Sequence, residues 1–241
     1  MLTAVLVTLV SVIAIGLGIA LLDRICAALA EHKASEYLSE PFGHPPLVRV
    51  YGTPFLTQAV RGRYRAIMVS GGGLRIGDMT GATLNARIRN AYLPLQELLG
   101  RRARELPCEH VEGEIVVPFG ELARVSRIPG LILQYEDGRL VASAALPVPG
   151  ISSLAKVGGV AELSIVGNGA VWLRLGGVSV AGINLPRLVL DQLLGSLSVP
   201  IPMPELPYGL RLTQLEATPT GLRVRGSADA VTFRRPHFLT E

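Results

Sequence analysis

Residues 52–69 read Gly-Thr-Pro-Phe-Leu-Thr-Gln-Ala-Val-Arg-Gly-Arg-Tyr-Arg-Ala-Ile-Met-Val. Pro54 pushes Thr53 toward extended backbone and predicts a short helical turn over Phe55 to Val60. Gly62 then releases the chain into a strand. Along that strand Tyr64, Ala66 and Met68 point one way, and Arg63, Arg65, Ile67 and Val69 the other. An apolar pair, Phe55-Leu56, is thereby fixed beside a strand with arginines at its start.

The composition around this stretch suits a curved, mostly β body of one domain or two small related ones. Of 241 residues 49% are hydrophobic but only 5% aromatic, so the apolar mass is aliphatic, and 27 Gly with 17 Pro supply turns and bends. The net charge of +4 is compatible with an anionic membrane surface. It is too small to argue for nucleic acid, and no aromatic-basic RNA-binding motif is present. Two cysteines, Cys26 and Cys108, are expected as unpaired buried thiols, although an oxidising compartment would allow them to pair.

Upstream, Leu2 to Leu22 is 21 residues without charge or proline, 13 of them Leu, Ile or Val. As a helix it would be about 31 Å long, which matches a hydrocarbon core of about 30 Å. Insertion is worth up to about 4–8 kcal/mol on a per-residue insertion scale. The segment therefore reads as an anchor in the plasma membrane. The competing account is a signal peptide cleaved at Ala28-Leu29-Ala30, disfavoured because only Met1 precedes the apolar run and Asp23-Arg24 interrupt it before the site. Charge leans toward a cytoplasmic body, on Arg24 and Lys33 alone. The helix should continue through water to Glu40, before Pro41, with Cys26, Ala30, Ala34, Tyr37 and Leu38 on its apolar side and Arg24, Glu31, Lys33, Ser35 and Ser39 mostly elsewhere.

Downstream the pattern is short strands. Leu47–Tyr51 alternates, as do Leu84, Ala86 and Ile88 against Asn85, Arg87 and Arg89, the half-buried antiparallel pattern. Helices are predicted over Pro94 to Glu105, Phe119 to Val125 and Leu185 to Leu194, with a strand at Val111 to Val117. Asp137-Gly138 and Asn168-Gly169 mark hairpins. Pro200, Pro202, Pro204 and Pro207 force an extended segment that cannot be a central strand. A last hairpin joins Leu210–Ala217 to Leu222–Phe233. Two similar halves meeting near residues 147–152 are a further expectation.

Chemistry-bearing motifs are few. Cys108-Glu109-His110 falls short of a tetrahedral metal site and reads as a surface turn, so no metal is expected. Ser70-Gly-Gly-Gly73 with Gly77 fits neither phosphate-loop pattern and reads as a bend between strands. There is no nucleophile elbow, and Glu112 with Glu114 read as a solvated pair. No catalytic residue and no cofactor are assigned. The remaining polar feature is a set of arginines, Arg61, Arg63, Arg65, Arg75, Arg87 and Arg89. They form either an ordinary outer sheet face or a basic rim for phospholipid head groups.

The segment Gly52-x-Pro-Phe-Leu-Thr-Gln58…Gly62-Arg-Tyr64 closely resembles the signature of the LmeA-like proteins, an actinobacterial cell-envelope family that binds phospholipid. Leu206-Pro-Tyr-Gly-Leu-Arg-Leu and Thr220-Gly-Leu-Arg-Val-Arg-Gly carry a second resemblance. It implies an α+β fold, a long N-terminal helix on a strongly curved antiparallel sheet, like tubular lipid-binding folds. It also implies export, a body facing the periplasm or envelope, and a non-enzymatic role supporting envelope lipid or lipoglycan assembly alongside envelope biosynthetic proteins. On that expectation Phe55, Leu56, Leu84, Ala86, Ile88, Leu222 and Val224 line an apolar groove for acyl chains, or else are plain core. Arg61, Arg63, Arg65, Arg87 and Arg89 then form the head-group rim. A scaffolding protein with a filled core, or a lipid hydrolase with a dispersed site, are the alternatives.

Overall fold

The structure, a computed structural model, describes residues 2–94, 105–126, 130–147, 154–166, 170–180, 183–184, 198–201 and 210–234. The fold is α+β. Helix α1, Leu2–Tyr37, is continuous through the apolar segment and beyond it, and α2 is the single turn Ser39–Phe42. The helix stops three residues short of Glu40 because Ser39 Oγ donates to the carbonyl of Glu36, 2.7 Å away, and takes one of its closing acceptors.

The first sheet has the strand order β1-β2-β3-β4-β12-β11. Its strands are β1 Leu47–Tyr51, β2 Arg63–Ile76, β3 Met79–Tyr92, β4 Glu105–Val117, β11 Arg211–Thr218 and β12 Gly221–Arg234. The second sheet runs β10-β8-β7-β6-β5, with β9 paired to β8. Its members are β5 Ile132–Glu136, β6 Arg139–Pro147, β7 Leu154–Val166, β8 Ala170–Val180, β9 Ile183–Asn184 and β10 Ser198–Ile201. Pro200 lies in the edge strand β10, opposite Trp172, where a missing N–H does no harm. Helices α3, Phe55–Arg61, and α4, Phe119–Val125, complete the described elements.

The chain forms two compact units. The first draws on the described residues of Met1–Ser70, Ala86–Val111 and Asp229–Glu241, the second on those of Gly71–Asn85 and Glu112–Ala228. Of residues 147–152, where two halves were expected to meet, 148–152 lie outside the described residues.

In the first unit α1 lies along the edge strand β1. Asp23, Ala27, Glu31 and Ser35 recur every fourth residue on one ridge, beside Cys26, Ala30, Ala34 and Leu38 on the next. Glu31 Oε1 accepts the N–H of Val50 at 2.7 Å, and Ser35 Oγ donates to the carbonyl of Pro46 at 2.5 Å. These are outward groups of an edge strand, so the helix closes an edge that would otherwise be open to pairing. Glu31 and Ser35, expected off the apolar side, belong to the docked side for that reason. Tyr37, expected on it, is 56% exposed. Cys26 is only partly buried; Cys108 is the buried free thiol.

In the second unit Leu222, Val117 and Leu122 are almost wholly enclosed and Val224 is buried beside them in the strand. Glu121 of α4 accepts the N–H of Thr80 at 2.9 Å and pairs with Arg124 at 2.6 Å, while Arg124 donates to the carbonyl of Asp78. Glu114 bridges Arg223 and Arg225 at 3.3 and 2.9 Å, so it is an ion-pair centre between β4 and β12 and more than a solvated carboxylate. The Asp137-Gly138 hairpin has φ of 48° and 80°, as its two-residue turn requires. Strands β7 and β8 pair antiparallel, but residues 167–169 between them lie outside the described residues, as do the expected helices over 95–104 and 185–194.

Two further expectations are corrected. Residues 70–73 are no bend: β2 runs through them, and the chain turns at Gly77-Asp78. Cys108-Glu109-His110 is no surface turn. It lies inside β4, which begins at Glu105 and buries both Cys108 and Val111.

Candidate functional site

The signature segment folds as a clasp in the first unit. Pro54 caps α3, Gly62 ends it at φ 65°, and Phe55 is buried with its ring centroid 6.2 Å from that of Tyr64. Gln58 is buried and uses both ends of its amide: Nε2 donates to the carbonyl of Gly52 at 2.6 Å, and Oε1 accepts the N–H of Arg65 at 3.0 Å. Gly62 is held in turn by Leu93, whose N–H donates to its carbonyl at 2.7 Å.

This clasp is tied to the long helix. Asp23 Oδ1 accepts the N–H of Leu56 at 2.7 Å, in a setting where Asp23 is itself buried. The backbone N–H groups of Leu56 and then Phe55 hold its carboxyl below the usual carboxylate range.

Beyond the clasp the first unit holds a cleft of about 790 Å³, formed by residues 63–65 of β2, 90–92 of β3, 107–109 of β4 and 229–232 of β12. Tyr64, Ala91, Cys108 and Val231 contribute one buried residue from each strand. Their neighbours Arg63, Arg65, Tyr92, Glu109 and Asp229 are exposed. Successive side chains alternate between faces, so the sheet has a sealed apolar side and a polar side along the cleft. Asn90 and Ala230 have φ of 49° and 52°. Each shifts the burial phase of its strand, as a bulge does, from Ile88 to Ala91 and from Val224 to Val231.

The polar groups of the cleft, with His110 next to it in β4, divide in two. Asn90 Nδ2 donates to Glu109 Oε2 and His110 Nδ1 meets Asp229 Oδ1, both at 2.6 Å, so these four link β3, β4 and β12. The side chains of Arg63 and Arg65 make no hydrogen bond or ion pair among the described residues, leaving two guanidinium groups free for an anion. On the sealed side burial pushes the Tyr64 phenol up, and its hydroxyl has no hydrogen-bond partner among the described residues. Burial also raises the Cys108 thiol, which donates to the carbonyl of Val231 at 3.2 Å. A protonated, enclosed thiol is a poor nucleophile. Among the described residues the cleft is thus lined by two cations, Arg63 and Arg65, and two acids, Glu109 and Asp229.

Of the expected site residues, Arg63 and Arg65 border this cleft. Arg61, Arg87 and Arg89 are exposed in the same unit. Phe55 is buried, and Leu56, Ala86 and Ile88 are half-buried, also in the first unit. Leu84, Leu222 and Val224 fall in the second unit, the last two in its interior. The bonds of Asp23 and Gln58 and the Asn90–Glu109 and His110–Asp229 pairs escaped the sequence reading. Gln58 stands out there only within the signature, and Glu109 and His110 only as a local cluster; Asp23 left a signal as an acid on the ridge that Ala27, Glu31 and Ser35 continue.

No curated protein and no solved structure matches the chain. A family model described as LmeA-like phospholipid-binding matches residues 21–227. That range takes in the clasp, the second sheet and the first sheet up to residue 227 of β12, short of the cleft residues 229–232, and the chain belongs to the LmeA-like phospholipid-binding family.

Proposed function

We propose that the protein is a non-enzymatic phospholipid-binding component of the cell envelope, anchored in the plasma membrane by Leu2–Leu22, with its body on the envelope side. Within the first unit Leu56, Ala86 and Ile88, backed by buried Phe55 next to Leu56, offer apolar surface to acyl chains, and Arg61, Arg63, Arg65, Arg87 and Arg89 meet head groups. Its role is to support envelope lipid or lipoglycan assembly in concert with biosynthetic proteins. The family match over residues 21–227 carries this reading, and the guanidinium groups of Arg63 and Arg65, without a partner among the described residues, support it. Keeping a 16-carbon chain out of water is worth about 13 kcal/mol at about 0.8 kcal/mol per CH₂, so such a protein needs dry surface and no catalytic group.

The enclosed interior around Leu222, Val117 and Leu122 favours a second reading, a scaffold whose core is full. Mass spectrometry of lipids retained by the detergent-purified full chain separates the two, with an unrelated single-helix membrane protein from the same host as reference. Binding predicts phospholipid enriched over the reference. Retention equal to the reference contradicts binding and leaves the scaffold.

A further inference from the structure

The contacts of α1 fix which end of the first unit lies nearest the lipid in which Leu2–Leu22 would sit. Leu22 is the last residue of the apolar segment and Asp23 the first beyond it, and the Asp23 carboxylate holds the N–H of Leu56 at 2.7 Å. The other two tethers lie further along the same ridge. Glu31, on Val50, is about 12 Å beyond Asp23, and Ser35, on Pro46, about 18 Å beyond, at 1.5 Å per residue. The start of α3, held at Leu56, is therefore level with the apolar boundary, the Tyr51 end of β1 lies about 12 Å beyond it beside Val50, and the Leu47 end is furthest away.

The surface at the near end is unusual. Val60 of α3 is 74% exposed, more than any large hydrophobic residue of the described apolar helix, where the highest is Leu17 at 67%. A valine so placed is misfit for water. Arg61 and Arg63 are exposed beside it, and Tyr51, the type of residue that favours membrane interfaces, is 40% exposed. An apolar tip flanked by arginines is the pattern that enters a head-group layer, each cation contributing about 1 kcal/mol near an anionic surface.

The geometry points to α3 and the first residues of β2 as a bilayer-contact surface: Val60 sits among the lipids, and Arg61 and Arg63 among phosphate groups of the membrane that α1 spans. This rests on the proposed anchoring of Leu2–Leu22 and goes beyond it, since an anchor alone leaves the body free to face any way. It would put the mouth of the 63–65 cleft at the level of the head groups.

Tryptophan quenching tests it on the full chain. In a Trp172→Phe background, Leu9→Trp, Val60→Trp and Leu47→Trp are reconstituted separately into phosphatidylcholine–phosphatidylglycerol vesicles carrying lipids brominated in the upper acyl chain. The expected result is strong quenching at positions 9 and 60, and at position 60 several-fold more than at 47. Quenching at 9 with positions 60 and 47 alike overturns the contact surface while the anchor stands. No quenching at 9 refutes the anchor and the inference together. Arg61→Trp, in the same exposed tip of α3, gives the same comparison should Val60→Trp not fold.

Discussion

The carboxamide of Gln58 and the carbonyl of Gly52 meet at 2.6 Å, closing a loop whose other end is the N–H of Arg65. A Cβ on Gly52, at φ 110°, would lie 2.7 Å from that same nitrogen, so position 52 must be glycine both for its backbone and for the room Gln58 needs. One buried amide thus joins the turn before α3 to the strand after it.

Removing that amide should be costly. Gln58→Leu leaves a carbonyl and an N–H without partners and is expected to lower stability by about 1–3 kcal/mol. Gln58→Glu, nearly isosteric, keeps an acceptor for Arg65 but opposes a carboxylate to the Gly52 carbonyl, and should cost at least as much. Denaturant unfolding of both variants checks this; an unchanged midpoint for either contradicts the clasp.

Two glycines in the second unit separate backbone strain from crowding. Gly138, at φ 80°, has open space where a Cβ would go, so Gly138→Val should cost about 1 kcal/mol or somewhat more through the backbone alone. Gly221, at φ 151°, would place a Cβ 2.2 Å from the Val117 carbonyl oxygen. Gly221→Ala should add about 1–3 kcal/mol of overpacking to its strain. Thermal unfolding should rank wild type above Gly138→Val, and that above Gly221→Ala.

Glu121 makes stability depend on acid. Hydrogen bonds from Arg124 and then from the Thr80 N–H pull its carboxyl down to about 2 from an ordinary 4.5. A carboxyl depressed on folding binds its proton more weakly in the native state, so the stabilisation is complete above pH 4.5 and fades as pH falls toward 2. The stability gap between wild type and Glu121→Gln should be constant from neutral pH to about 5 and narrow below it. A gap unchanged down to pH 3 contradicts the assignment.

Ala86 separates groove from core. In an open groove Ala86→Leu leaves stability nearly intact and lowers retained phospholipid, whereas in a full core it costs about 1–3 kcal/mol. The residue is half-buried on β3, and the first outcome is expected. Unfolding and lipid content measured on one preparation decide it: a destabilised protein with undiminished lipid removes Ala86 from the groove.

How far the sequence was legible follows from the range of the interactions. Local signals carried through: Pro54 and Gly62 bracket α3, Asp137-Gly138 makes its hairpin, and Phe119–Val125 is helical. Each is decided within a few residues. Non-local bonds were silent. Gln58 looks like any helix glutamine until Arg65 returns beside it, and Asp23 looks like a flanking charge until Leu56 arrives from 33 residues away. Alternation failed where the backbone itself departs from it, at Asn90 and Ala230. Arg63 and Arg65 were picked out by charge, but the cleft beside them needs four strands that the sequence spreads from residue 63 to residue 232.

Phospholipid binding by the folded body is most directly measured by photo-crosslinking. A phospholipid with a diazirine in its acyl chain is irradiated with the membrane-embedded full chain, and labelled peptides are mapped by mass spectrometry. A helix that merely spans the bilayer is labelled within Leu2–Leu22. A lipid-binding body predicts additional labelling in residues 52–92, diminished by excess unlabelled phospholipid and by Ala86→Leu. Labelling confined to Leu2–Leu22 would contradict the account.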